Sequence, residues 1–251
     1  MSYLKNMLLN IGVIAVFGYL AIQLFFPTYS YRYRLIVAVQ DNGKIHERSS
    51  VINVAYQSRG FLANIFGSAY WLNIHGQAVV IDLKDGGVLL TALDGRRLFN
   101  FESRSTATNF ASLAYKPALR RVENSKRSKA VKLTRRTHLN EFRPSTLVEL
   151  GITEPVNLGF ERPPRFYWLS DRQDPDTAEP VQIDEFSNKI GSGIELEYIK
   201  VQLTNDPVVI DITEKLPWLK SLYAERTAKG RPNARGRETL DVYTLLKGHT
   251  P

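Results

Sequence analysis

The chain has 251 residues, a formal net charge of +8 and no cysteine. Without cysteine it forms no disulfide, thiolate nucleophile or zinc ribbon. Hydrophobic content of 43% and aromatic content of 11% exclude a wholly disordered polymer, and the roughly 225 residues after the first 26 suit one β-rich domain or two small ones.

Residues 1–6 read as a short tail carrying Tyr3 and Lys5, and the next charged residue is Arg32. Met7–Phe26 is an apolar run of 20 residues. At about 1.5 Å per residue such a helix is about 30 Å long, the thickness of a hydrocarbon core. A buried core helix would carry a polar stripe, but Asn10, Tyr19 and Gln23 form no continuous face. A cleaved signal would end on a small-x-small site, whereas Leu24-Phe25-Phe26-Pro27-Thr28-Tyr29 is bulky. The run therefore reads as a retained transmembrane helix, closed at Pro27. Tyr29, Tyr31 and Tyr33, with Phe25 and Phe26, read as an aromatic belt at one interface and Tyr3 marks the other. Lys5, Arg32 and Arg34 are then within reach of headgroups. The cations Arg32, Arg34 and Lys44 against Lys5 lean towards a cytoplasmic domain, but a short tail before one span exports the downstream domain, largely regardless of charge. The adopted reading puts the domain outside the cytoplasm.

Residues 27–118 read as a β-rich region. Tyr31, Tyr33, Leu35, Val37 and Val39 alternate with Arg32, Arg34 and Gln40, a period of two. Asp41-Asn42-Gly43-Lys44 supplies the pair that a type I′ turn needs, and Ser50–Tyr56 returns as β-branched sequence. A second hairpin is expected from Gln77 to Leu83, through Lys84-Asp85-Gly86-Gly87, and from Val88 to Leu93, closed by Asp94-Gly95. The continuous apolar run Ala78-Val79-Val80-Ile81 suits a strand covered on both faces.

Residues 119–138 form a basic segment, and 139–214 read as loop-rich and β sequence of the same domain. Arg143–Pro180 holds Pro144, Pro155, Pro163, Pro164, Pro175 and Pro180 and is expected to be dominated by loops. In Ile194–Asp211 the apolar phase shifts, from Ile194, Leu196 and Tyr198 to Ile199, Val201 and Leu203. That predicts a bulge at Tyr198-Ile199 or burial of both faces. Asn205-Asp206-Pro207 then turns the chain into a further extended run, Val208–Ile212. Residues 215–251 are a C-terminal helix and basic tail: a helix over Trp218–Lys229, a joint at Gly230–Arg237 and a last element at Thr239–Leu246.

Charge is segregated. Residues 119–138 carry Arg120, Arg121, Lys126, Arg127, Lys129, Lys132, Arg135 and Arg136 against Glu123 alone. Residues 170–214 carry eleven Asp and Glu against Arg172, Lys189 and Lys200. The basic segment offers binding to an anionic surface, and a solvated run answered by the acidic block is the plainer reading. Lipid is favoured over nucleic acid, because no aromatic residue lies between Arg120 and Thr137 for base stacking and a span already sets the domain beside a bilayer. The loop from Asp171 to Asp176 lacks calcium-loop spacing and contains Pro175. His46, His75, His138 and His249 are scattered, Ser68 lies in no nucleophile elbow, and Gly191-Ser192-Gly193 precedes a strand rather than a helix. No catalytic residue, cofactor or metal emerges from these patterns.

Tyr29-Ser30-Tyr31-Arg32-Tyr33-Arg34-Leu35, with Gly43 and Ser49-Ser50-Val51-Ile52 beyond it, resembles the start of a group of uncharacterised proteobacterial membrane-anchored proteins. The likeness covers about the first quarter of the chain. It implies a bacterial inner membrane, with the domain in the periplasm, and carries over no functional residue. The expectation is an N-terminal transmembrane helix followed by a mainly-β or α+β soluble domain with antiparallel hairpins. Its expected role is an envelope accessory module, held in the lipid bilayer by Met7–Phe26, that binds a protein partner or the membrane surface. The alternatives are a tethered hydrolase built around His75 or His138 with acidic-block carboxylates, and a cytoplasm-facing nucleic-acid binder.

Overall fold

The computed structural model describes residues 28–58, 70–84, 86–95, 110–127, 139–160, 163–228 and 245–247. Two compact units divide the chain, Met1–Ser30 with Ala55–Asn73 and Tyr31–Val54 with Ile74–Pro251. Only strand ends are described in the first, so the two sheets and their helices belong essentially to the second. The expected span Met7–Phe26 lies outside the described residues, among which no helix is long and apolar enough to cross a membrane.

The domain is mainly β, with antiparallel sheets. Strands β1 (Thr28–Asp41) and β2 (Lys44–Ser58) are joined by Asn42 and Gly43, whose φ angles of 49° and 83° are those of a type I′ turn. Asn and Gly tolerate left-handed backbone best, so the expected hairpin forms where the sequence put it. β3 (Tyr70–Gln77), β6 (Val156–Asn157), β9 (Ile194–Thr204) and β10 (Leu246–Lys247) complete a sheet of order β10-β3-β2-β1-β9-β6. β1 and β9 run antiparallel from Arg32 opposite Thr204 to Asp41 opposite Ile194. Tyr198 opposes Ala38 and Leu196 opposes Val39, which leaves Glu197 as the extra residue of a bulge. The phase shift seen in the sequence thus originates one residue before Tyr198-Ile199.

A second sheet has the order β4-β5-β7-β8, from β4 (Val79–Asp82), β5 (Val88–Gly95), β7 (Pro164–Leu169) and β8 (Ala178–Val181). The second hairpin is as expected in its turn, but β5 runs on through Gly95, which pairs with Pro164 beyond a register shift. Ala78, Val79, Val80 and Ile81 are all buried, which fits a strand covered on both faces. Gly87 lies against the Trp168 indole: a Cβ there would overlap the ring unless the ring moved.

Six α-helices are described, in chain order α1 (Phe110–Ala114), α2 (Lys116–Arg127), α3 (Leu139–Glu149), α4 (Phe186–Lys189), α5 (Ile212–Lys215) and α6 (Trp218–Ala228). α1 and α3 pack on β9, and α2 packs against both. α5 and α6 cover one face of the second sheet, where Ile212, Leu216 and Leu219 meet Val80, Leu90 and Tyr167. On Phe166 the Phe186 ring stands edge-on at 5.2 Å.

One expectation is refined here and another corrected. The proline-rich stretch Arg143–Pro180, rich in loops as expected, also contributes part of α3, all of β6 and β7, and most of β8. Pro164 opens β7 and Pro180 lies in the edge strand β8, the two places where a missing N–H costs a sheet least. Pro144 sits inside α3 and is buried. The run Val208–Ile212 forms no strand: Pro207 lacks a donor, Val209 is 61% exposed, and the chain enters α5 at Ile212.

Candidate functional site

The described part of the basic segment is helical. Tyr115, between α1 and α2, is buried and reaches into the sheet edge. Its hydroxyl accepts the Leu203 N–H at 3.1 Å and lies 2.5 Å from the Glu154 carbonyl and 3.3 Å from that of Val201. Burial pushes the phenol pKa above its ordinary value, against the opposing effect of the Leu203 N–H, and the Glu154 charge adds to the rise. One turn on, Leu119 is buried and its N–H bonds to the Tyr115 carbonyl at 2.9 Å. The helix is therefore pinned at its start.

Its cations point the other way. Lys116, Arg120 and Arg121 are exposed and make no hydrogen bond or ion pair with any described residue. Lys116 and Arg120, four residues apart, share a face. Lys126 and Arg127 continue α2, and Lys129, Lys132, Arg135 and Arg136 lie outside the described residues.

Part of the acidic block is engaged elsewhere. Asp171 and Asp174 accept the backbone N–H groups of Gln173 and Asp176 at 2.8 and 2.9 Å, so these carboxylates shape a turn. Glu185 pairs with Lys189 at 3.2 Å and Asp211 with Lys215 at 2.8 Å. Burial raises the Asp211 pKa, but bonds from Lys215 and Gln77 outweigh it and hold the carboxyl below the usual range. Arg172 reaches out of the acidic loop to Asp82 at 3.0 Å and to the Lys215 carbonyl at 2.9 Å, and Trp218 donates to its carbonyl at 2.9 Å. Among the described residues no group of three or more His, Asp or Glu is gathered as for a metal ion.

The residues expected at a membrane interface divide. Tyr3 and Lys5 lie outside the described residues, and Tyr29 contributes backbone to β1. Tyr31 and Tyr33 are 5% and 0% exposed, so their rings are part of the core. Arg32 donates to the carbonyls of Asn205 and Asp206 at 2.9 and 3.1 Å. Arg34 binds the Asp206 carboxylate and the Ser49 hydroxyl. The Thr204 hydroxyl, followed by Arg34, holds the Asp206 carboxyl below its ordinary pKa. Both arginines thus grip this chain's own turn.

Sequence reading missed three polar centres. Gln77, 6% exposed, accepts the N–H groups of Asp211 and Ile212 at 2.8 Å each and donates to the Asp211 carboxylate. Tyr115 is the second. The third is Asp41, 2% exposed, which accepts from Asn42 at 2.9 Å and from the Lys84 N–H at 3.2 Å, with His46 Nε2 at 3.9 Å. Asp41 was legible: it continues the buried phase of Tyr33, Leu35, Val37 and Val39. Of the histidines named for a hydrolase, His75 forms no hydrogen bond or ion pair with a described residue, and His138 lies outside them.

Comparison with protein-family models, curated proteins and solved structures found no match.

Proposed function

We propose that the protein is a membrane-anchored accessory module of the bacterial envelope, tethered by Met7–Phe26, whose domain binds an anionic partner through α2. It acts by binding rather than by catalysis. The observation that carries this reading is the pairing pattern. Asp206, Glu185 and Asp211 of the acidic block pair with Arg34, Lys189 and Lys215, while no ion pair joins the exposed Lys116, Arg120 or Arg121 to a described carboxylate. Exposed cations on a helix fixed by its buried side, unpaired among the described residues, offer a surface to an outside anion.

The test uses the full chain in its native membranes. Carbonate washing should leave it in the membrane, and a phosphatase fused after Pro251 should be active outside the cytoplasm. Tryptic cleavage after Arg120 and Arg121 should be slower in those membranes than in detergent, with the difference erased by high salt. Extraction by carbonate would overturn the anchor. Equal cleavage rates would overturn the role of α2, and an inactive fusion would favour the cytoplasm-facing nucleic-acid alternative.

A further inference from the structure

We infer that the anionic partner of α2 is the phosphate headgroup layer of acidic phospholipids in the same bilayer that holds the span; this rests on the anchored reading above. Strand register points there. Tyr115, immediately before α2, hydrogen-bonds Leu203 and Val201 on β9. Leu203 is paired with Tyr33 and Val201 with Leu35. The start of the basic helix is thereby fixed beside the N-terminal half of β1, not beside the hairpin tip at Asn42 and Gly43. Seven residues of chain link Phe26 to Tyr33, at most about 25 Å when fully extended. A chain of that length bounds the distance between the end of the proposed span and Tyr33.

The chemistry agrees. The exposed side of α2 presents Lys116, Arg120 and Arg121. Guanidinium groups bind phosphate oxygens in pairs, and each cation near an acidic leaflet strengthens association about fivefold. Glu149 and Glu154, at the end of α3 and beyond it, form no ion pair with these arginines. Arg32 and Arg34, which the sequence also offered to headgroups, are occupied by the Asn205–Asp206 turn. The headgroup contact therefore falls to a helix some 80 residues further along the chain, brought back to the start of β1 by Tyr115.

The native chain lacks cysteine, so Pro117→Cys gives one labelling site on the exposed side of α2. The full chain carrying a polarity-sensitive dye there is reconstituted into vesicles of phosphatidylcholine alone or mixed with phosphatidylglycerol. The dye emission should shift to the blue only with phosphatidylglycerol. The shift should vanish at about 1 M salt, where the Debye length is about 3 Å. Arg120→Gln with Arg121→Gln should raise the phosphatidylglycerol content needed for half the shift several-fold, and Arg120→Lys with Arg121→Lys should largely restore it. Thermal melting checks that each variant is folded. The same emission in both vesicles, from chain that resists carbonate extraction, would overturn lipid binding and leave the anchor standing. A shift seen only in protein-containing native membranes would overturn it in favour of a protein partner. Chain that washes out of the vesicles would instead overturn the anchored reading.

Discussion

The hydroxyl of Tyr115 accepts the main-chain N–H of Leu203 at 3.1 Å, on the residue of β9 that pairs with Tyr33 of β1. The short strand β6 pairs with Val201 and Lys200 but not with Leu203. Beyond it a side chain takes the place of a strand, and that oxygen adds a polar tie to the packing of α1 on the sheet. Replacing Tyr115 with Phe removes the acceptor for a buried N–H and the donor to the Glu154 carbonyl. The cost should be about 1–3 kcal/mol, read as a lower urea midpoint with unchanged slope.

Alkaline pH tests the same group independently. The Tyr115 pKa lies above its ordinary value of 10.0, so the native state holds that proton more tightly than the unfolded chain does. Its contribution is complete below the unfolded pKa and is lost as pH rises through the folded one. Wild-type stability should therefore fall above about pH 10. The Tyr115→Phe protein should show a shallower fall, measured by urea titration at several pH values.

Gln77 closes the start of α5 as Tyr115 closes the edge of β9. Its amide oxygen takes the N–H groups of both Asp211 and Ile212 at 2.8 Å. Gln77→Ala should cost at least about 1–3 kcal/mol, because the buried Ile212 N–H loses its partner. Exchange of that amide with solvent should accelerate, which heteronuclear NMR detects directly.

Asp211 supplies an acid-side counterpart. Its pKa is held below the ordinary 3.8, so its contribution is present above that value and is lost as pH falls through the lower folded one. The side chain is 35% exposed, and solvent screening keeps the effect at about 1 kcal/mol or less. Asp211→Asn should lower stability at neutral pH by up to that amount and flatten the loss of stability below about pH 4.

Gly87→Ala should destabilise the second sheet by about 1–3 kcal/mol. The added methyl would overlap the Trp168 ring, so the indole must leave its place over the turn. A shift in tryptophan emission accompanying the lower melting temperature would locate the cause. An unchanged spectrum would mean that the ring does not lie there.

These polar fastenings are also where the sequence was hardest to read. Period-two alternation from Tyr31 to Val39 and the Asn42-Gly43 pair announced the first hairpin, because both signals are local. The register shift at Glu197 was legible as a change of phase, although its position was one residue off. Pro164 and Pro180 misled: a proline cannot reveal by itself that it lies at the start or edge of a sheet. Gln77 and Tyr115 act on partners 135 and 88 residues away, and no local pattern encodes such a distance. The basic segment was visible as composition, but its attachment beside the start of β1 is a fact of register alone.

The most direct measurement of headgroup binding by α2 is energy transfer from a donor dye at Pro117→Cys to headgroup-labelled lipid, with the full chain in nanodiscs. Transfer efficiency should be high with phosphatidylglycerol at low salt. It should fall at about 1 M salt, where charges are screened within about 3 Å, and fall likewise in the Arg120→Gln, Arg121→Gln protein. Efficiency that is the same in phosphatidylcholine, and indifferent to salt and to both arginines, would contradict a headgroup role for this helix.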